Sequence, residues 1–595
     1  MKHSYTICPH CGCGCGLYIV EQDGAVSGVT ASLGHALGQG QLCARGWTCH
    51  QMIRSTVRLK SAMMGEPGKL SPAGWEEAVD RAAEMLVKVR DSHGTGSVGV
   101  IGSSRLTEAE AWCLRSLAES GLNTPHYDSG ARLGWLPLGL PNPARHQDID
   151  EADLIMVTGA DLLEENPILG ARVMSRCKPA ADRPYVSPDI SHQIPKDPGI
   201  LVLGNSRPSD LRNAASIMIQ PRPGREWVLL AAMLQKLAKS SVCRSKGFDK
   251  LKVSLGKVQI DRLLNYAGIA PGDAARAASL LEKSVKPLLI VGRGLWQTEQ
   301  AGAARAAVID LALTVEKLKV MQAAAGANDT GCGQILSSDR GLGYMEMIEA
   351  ASAGKLKALV LVGEDPLRSL PGPELTAKAL AGVEALVVID SFAANLVIPL
   401  AKVVLPLPLP LEKSGAFRNI AGESQNFDSV LAAPAGVRGL EEILSRWAKT
   451  LGGKISGSGR AEAAAENEIS WLEIPETTSK VDGFLLELGT AYPHLAGGEL
   501  YTEATPHLAR EFAGGWAEMH PEDISELGLR AGWRARLATE AGRMEAVIRP
   551  NPGLSRKTIF MPAHFRGNTL APFRFHPALK TPILKGIPAK VEKIS

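Results

Sequence analysis

Short runs of β-branched and aliphatic residues recur along the first four hundred positions. They are SVGVIGSS (97–104), DLIMVTGAD (153–161), GILVLGNS (199–206), KPLLIVGRG (286–294), KALVLVGED (357–365) and EALVVIDS (384–391). Each is apolar on both faces, and nearly all end in Gly or Asp and a polar turn. Unbroken apolar strands of this length predict parallel sheet covered on both sides. Between several of them lie helical stretches such as REWVLLAAMLQKLAK (225–239). At 71–89, SPAGWEEAVDRAAEMLVKV predicts an amphipathic helix capped by Ser71, with Pro72 at its first position and Trp75, Val79, Ala82, Met85, Leu86 and Val89 on one face. After about residue 515 the period changes. GWRARLATEAGRMEAVIRP alternates across a turn at Gly542, and KTIFMPAH (557–564) adds a strand, so a small barrel-like β domain is expected.

A chain of 595 residues is too long for one core. The expected fold is α/β multidomain. An N-terminal module spans 1–60, two interleaved doubly wound α/β domains span 61–480, and a β-rich domain spans 481–595. Polar turns at the carboxyl ends of parallel strands are where such sheets bind ligands. Six of them imply one extended ligand or two nucleotide-like ones.

The composition is 45% hydrophobic and 21% charged, with a formal net charge of +3. That charge is too small to argue for nucleic acid or an anionic membrane as partner, and neither is expected. No apolar run reaches the roughly 18–20 residues of a membrane span. No signal-peptide stretch precedes Cys8, so a cytoplasmic location is expected.

Of the 10 cysteines, Cys8, Cys11, Cys13, Cys15 and Cys43 lie at the front. A disulfide framework would be spread more evenly, so the crowding reads as a metal site. CPHC alone would suit a zinc ribbon, but no second C-x-x-C exists. Cys8, Cys11, Cys15 and Cys43 instead give C-x2-C-x3-C-x27-C. Three thiolates on a glycine-rich loop and one distant thiolate commonly hold a cubane iron–sulfur cluster. Gly12, Gly14 and Gly16 let the backbone wrap close. Cys13 is then the spare.

This module, followed by CARG, resembles the N-terminus of the molybdopterin oxidoreductases, the family of formate dehydrogenases and periplasmic nitrate reductases. The resemblance continues through GSSRLTEAEAW (102–112), GADLLEENP (159–167), GNSRPSDLRNAASIMIQPRPGRE (204–226), GEDP (363–366), EKSGAFRNIAGESQ (412–425) and FRGNTLAPFRFHPALKTPILK (565–585). It implies a 4Fe-4S cluster on the four cysteines, with Arg45 between cluster and pterin as an electron-transfer residue. It implies two molybdopterin guanine dinucleotides carrying Mo or W across the strand-end turns. In register are Gly159, Asp161, Glu164, Asn205, Arg207, Gly292, Gly294, Gly363 and Asp365, with Asn568 and Lys585 on the C-terminal domain. Asn205 and Ser206 replace the family's Asp and Pro. NDTGCGQI (328–335) resembles a pterin-side loop, which singles out Cys332.

The important departure is at the metal. The family's formate dehydrogenases read DTCARLCHSP, and this chain reads DSGARLGWLP (128–137). Gly134 stands where the metal-binding Cys or selenocysteine should be, and Trp135 where the histidine should be. Neither can ligate a metal or carry a proton near neutral pH. Formate oxidation by the family's route is therefore not expected. Three readings stay open. The chain passes electrons through its cluster with a dead site; the pterin-bound metal works without a side-chain ligand on an unknown small substrate; or Asp128 ligates the metal. With one obvious cluster motif and no G-x-G-x-x-G fingerprint after a strand, the chain should need a partner carrying flavin or further iron–sulfur clusters. His126, His146 and His564 are candidate proton carriers, and Cys113, Cys177 and Cys243 are expected as buried thiols.

Overall fold

The computed structural model describes residues 1–594 apart from 141, 180–196, 241, 242, 244, 460–482, 495–498 and 512–514. The expected boundary at 480/481 lies outside the described residues.

The chain begins as an antiparallel three-stranded sheet, Lys2–Ile7, Gly16–Gln22 and Ala25–Ala31. It then starts a larger sheet, leaves it, builds a second, and returns. The larger sheet has seven strands in the order 71–73, 62–64, 403–406, 385–390, 358–362, 98–102 and 127–129. The inserted sheet has five parallel strands in the order 217–219, 200–204, 154–158, 287–291 and 319–322. The two α/β units are thus interleaved, one being built from chain inserted into the other.

All six apolar runs form strands. Leu154–Thr158, Pro287–Val291, Ala358–Val362 and Ala385–Asp390 are buried at every position. Burial on both faces is why their sequences do not alternate. Trp227–Ser240 forms a helix packed on the five-stranded sheet.

One expected boundary is wrong. Ser71–Ala73 is not the first turn of a helix but an edge strand, paired antiparallel with Ala62–Met64. The helix runs Trp75–His93 after Gly74. An edge position tolerates Pro72, whose missing N–H is not needed there. The expected apolar face holds, with Val79, Ala82, Leu86 and Val89 buried.

The C-terminal part is a closed barrel of strands 484–489, 558–562, 516–519, 543–550, 534–538 and 585–593, in that order around the wall. Arg534–Ala538 and Arg543–Pro550 form the expected antiparallel pair.

Connections between strands place their carboxyl ends together. Ser103 N–H donates to Val362 O at 2.8 Å, and Gly363 N–H to Ile389 O at 2.7 Å. In the other sheet Gly292 N–H donates to Thr158 O at 3.0 Å, and Gly294 N–H to Gly159 O at 2.8 Å. Gly159 has φ +66°, and a Cβ on Gly292 would lie 2.4 Å from Ala160 Cβ. These turns are glycine because two backbones meet there.

Candidate functional site

Cys8, Cys11, Cys15 and Cys43 line one cavity together with His10, Leu42, Gly46, Pro167 and Ile168. Cys8 N–H donates to Cys15 O at 2.9 Å, and Gly14 turns the loop at φ +57°. Cys43 arrives from the start of the helix Ala44–Thr48. Among the described residues no group of three or more His, Cys, Asp or Glu forms a single-ion site. The thiols are spread around a cavity wall, an arrangement suited to a multi-atom cluster.

Burial, then the neighbouring Cys49, Cys43 and Cys11, push the Cys8 thiol well above its usual range. Cys11 is raised too, first by its hydrogen bond with Cys13 and then by burial. Such thiols ionise only against a compensating cation, which a metal cluster provides. Cys13 is fully buried but does not line the cavity; Asn166 Nδ2 approaches its sulfur at 3.7 Å.

Arg45 is buried between this cavity and the inserted α/β unit. Its Nη2 donates to Glu165 O at 2.8 Å, and its guanidinium lies over the Tyr492 ring at 5.4 Å. Its Nε and Nη1 are buried with no acceptor in hydrogen-bond geometry, beside the sulfurs of Cys43 and Cys11. A cation with unused donors facing a thiolate-lined cavity fits an anionic cluster. Glu165 continues the path: Arg293 Nε donates to its Oε1 at 3.1 Å.

Arg293 explains the glycine. A Cβ on Gly134 would lie 2.9 Å from Arg293 Cβ and 3.2 Å from its Cδ. A side chain at Gly134 therefore has no room unless Arg293 moves. Gly134, Arg293, Gln297, Asp329, Glu364 and Asn568 are among the residues lining a single small chamber. Trp135 turns away from it. Its ring edge would touch a Cβ on Gly333, and it lines a separate cleft of 1620 Å³ that also takes in Arg132 and Gln334. Asp128 is buried and fully engaged, accepting from Tyr344 N at 2.8 Å and pairing with Arg132 at 3.2 Å. It lies in the edge strand Tyr127–Ser129 and does not line the chamber.

The remaining expected contacts divide between two cavities. Gly159, Asp161, Asn205, Arg207, Gly294 and Lys585 line one, at the edge of the five-stranded sheet and the barrel. Gly363 and Asp365 line the other, at the seven-stranded sheet, with Asp390 and Tyr501. Gly292 and Glu164 line neither: Gly292 packs on Ala160, and Glu164 accepts from Tyr492 N–H and sits 3.7 Å from Arg207.

In the first cavity the charges are already paired. Arg207 binds Glu518 at 2.9 Å and Asp161 at 3.2 Å. Burial lifts the Asp161 carboxyl to about 7 despite Arg207. Lys585 bridges Glu226 at 2.9 Å and Glu487 at 2.6 Å. Burial lowers its affinity for a proton, but the two carboxylates outweigh this and hold it above its ordinary range. Asn205 exchanges hydrogen bonds with the Ala160 backbone, at 2.8 and 3.3 Å, so its amide is not a free acceptor for a base. In the second cavity Asp365 Oδ1 is buried and unpartnered, an acceptor awaiting a donor. That orphan, with backbone turns at the strand ends, fits a polar, N–H-bearing ligand such as guanine.

Cys332 is buried against Leu106 O at 3.4 Å and lines none of these cavities. Cys113 and Cys177 are buried as expected, whereas Cys243 is only partly so. The three histidines are dispersed. His126 accepts from Leu342 N at 3.1 Å, His146 lies 3.8 Å from Glu423, and His564 stacks 4.9 Å from His494. Burial, His494 and Arg293 lower His564 to about 2, so it stays neutral. Glu165, Arg293, Gln297, Asp329 and Glu364 were not foreseen. Arg293 and Glu364 sit inside the turns GRG (292–294) and GED (363–365), between the residues that the strand-end pattern marks.

Three family models match the chain. "Molybdopterin oxidoreductase Fe4S4 domain" covers residues 1–55, "Molybdopterin oxidoreductase" covers 52–449, and "Molydopterin dinucleotide binding domain" covers 494–588. The chain belongs to the molybdopterin oxidoreductase family, with the domains that carry both the Fe4S4 and the molybdopterin dinucleotide cofactors. It is 23% identical to the F420-dependent formate dehydrogenase 1 subunit alpha of Methanococcus maripaludis, over 99% of each chain. It is 26% identical to the NADPH-Fe(3+) oxidoreductase subunit alpha of Geobacter sulfurreducens, over 94% of this chain and 72% of that one. The solved structure of acetylene hydratase from Pelobacter acetylenicus shares the fold, with TM-score 0.77 at 14% identity, over 99% of this chain and 100% of that one. No helix among the described residues is long and apolar enough to cross a membrane.

Two outcomes test this geometry. Cys13→Ser should keep the brown cluster absorbance and its iron, whereas Cys43→Ser should lose much of both; the reverse would exchange their roles. Gly134→Cys should cost about 1–3 kcal/mol by overpacking. In an Arg293→Gly background that cost should shrink, giving a coupling of about 0.5–3 kcal/mol in denaturant melts. Additive costs would mean Arg293 does not hold that space.

Proposed function

We propose that this chain is a redox subunit in which a bis-molybdopterin guanine dinucleotide centre, with Mo or W, acts on a small substrate without any protein ligand from position 134. The observation that carries this reading is the chamber at Gly134. It remains lined by buried polar groups, while Arg293 fills the space a ligating side chain would use. When bound, the pterin-held metal supplies two-electron redox chemistry. Gly159, Asp161, Arg207, Gly294 and Lys585 would border one dinucleotide, and Gly363 and Asp365 the other.

Cys8, Cys11, Cys15 and Cys43 hold a 4Fe-4S cluster on this reading, and Arg45 stabilises its added electron. Glu165 and Arg293 join Arg45 to the chamber through two hydrogen-bonded contacts. Electrons then leave to a partner bearing flavin or further iron–sulfur clusters, in the cytoplasm. The alpha-subunit names of both curated relatives support a partnered assembly. The relatives' formate chemistry is not carried over, because Gly134 and Trp135 remove the thiolate and imidazole it would need.

A second reading follows from the first dinucleotide cavity, whose Arg207 and Lys585 are already neutralised by carboxylates. There the pterin is lost and the chain only relays electrons. Iron, Mo, W and pterin analysis of the purified protein separates the two. The proposed function expects about one Mo or W and two pterins per chain beside the cluster iron, consistent with a redox-metal site. Iron with neither pterin nor Mo or W would establish the relay.

A further inference from the structure

With an indole at position 135, the chamber has no imidazole to move a proton, yet oxidation of an X–H bond must put one somewhere. A buried carboxyl stands at the chamber wall. Glu364 follows the strand Ala358–Val362 and lines the chamber beside Gly134 and Arg293. It also lines the adjoining cavity that holds Asp365, Asp390 and Tyr501. It therefore borders two separate spaces. The turn carrying Gly134 packs directly on it: a Cβ on Gly130 would lie 2.3 Å from Glu364 Oε1. On the other oxygen, the Tyr344 hydroxyl donates to Oε2 at 3.2 Å and sits 3.3 Å from Ser369 Oγ.

The chamber's other carboxyl is less free. Asp329 Oδ2 accepts the Gly326 N–H at 2.7 Å, tied down by its own turn.

We propose that Glu364 is the catalytic proton acceptor of this chamber, handing its proton on through the hydroxyls of Tyr344 and Ser369. The proposal rests on the functional reading above. The substrate's X–H bond breaks and an O–H bond forms at a Glu364 carboxylate oxygen. The pterin-held metal, when bound, would take up the electron pair, and the cluster and the partner's flavin or iron–sulfur centre would be its outlet. The proton passes on through the Tyr344 and Ser369 hydroxyls, restoring the carboxylate.

The surroundings suit that task. Burial pushes the Glu364 carboxyl up to about 8; Arg105 and the Tyr344 hydroxyl oppose this, and Asp365 and Asp390 add to it. Arg293, Arg368 and Asp329 are the other charged groups lining the chamber. An acid–base group works best when its pKa lies near the working pH.

Infrared titration of the purified protein tests the group itself. Wild type should show a buried protonated-carboxyl band that disappears as pH rises through about 8. Glu364→Gln should lack it. Tyr344→Phe, which removes a hydrogen bond to the carboxylate, should move the titration to higher pH. In metal-loaded protein, the midpoint potential of Mo or W plotted against pH should break at the same pH. That break should vanish in Glu364→Gln while the cluster potential stays unchanged. A band titrating at about 8, or a break at that pH, that survives Glu364→Gln overturns the proposal. Protein without pterin and metal that still shows the band overturns the catalytic role through the functional reading, not through Glu364.

Discussion

Arg293 and a side chain at position 134 compete for one volume in the middle of this molecule. Arg293 is committed by its partners: its Nε is bound to the buried Glu165, and its Nη2 reaches the Thr490 hydroxyl. Breaking a buried pair of this kind by removing one partner costs about 3–5 kcal/mol. The contact with position 134 begins at Arg293 Cβ, which cannot swing aside without moving the backbone. So long as Arg293 keeps that place, position 134 stays a glycine and the chamber offers no thiolate. The chemistry of the site must then come from what surrounds the glycine.

What surrounds it is gathered from distant parts of the chain. Arg45 comes from the cluster module, Glu165 and Arg293 from the inserted five-stranded unit, Glu364 from the seven-stranded unit, and Thr490 follows the first barrel strand. The insertion topology makes this possible. One α/β unit is completed only after the other has been built, so their strand ends face a common interior along with the barrel. Two arginines tie the cluster loop to this shared region: Arg45, beside the Cys43 and Cys11 sulfurs and bound to Glu165 O, and Arg105, whose Nη2 donates to His10 O at 3.2 Å. The cluster cavity and the chamber are therefore linked by charged, hydrogen-bonded groups and not by apolar packing alone. Low local dielectric strengthens each of those contacts.

The architecture was largely legible in the sequence, because strands buried on both faces leave unbroken apolar runs and polar exits. The cysteine spacing was legible for a similar reason, since four thiols in one cavity need fixed separations along a tight loop. The start of the helix at 75 was not, because Ser71-Pro72 is equally compatible with a helix cap and an edge strand, and only pairing with Ala62–Met64 decides. The site residues divide in the same way. Glycines in strand-end turns could be read locally. The pairs Arg207–Glu518 and Lys585–Glu226, and the contact between Arg293 and Gly134, join residues more than a hundred positions apart, and no local pattern records them. Gly134 itself was visible as a departure; its cause was visible only in three dimensions.

On the proposed reading the metal is held without a protein ligand, and X-ray absorption at the Mo or W edge of the purified protein reads that coordination directly. A first shell of pterin dithiolene sulfurs completed by oxygen or non-pterin inorganic ligands is the predicted result. A further sulfur at thiolate distance, lost when a cysteine of this chain is replaced, would contradict it.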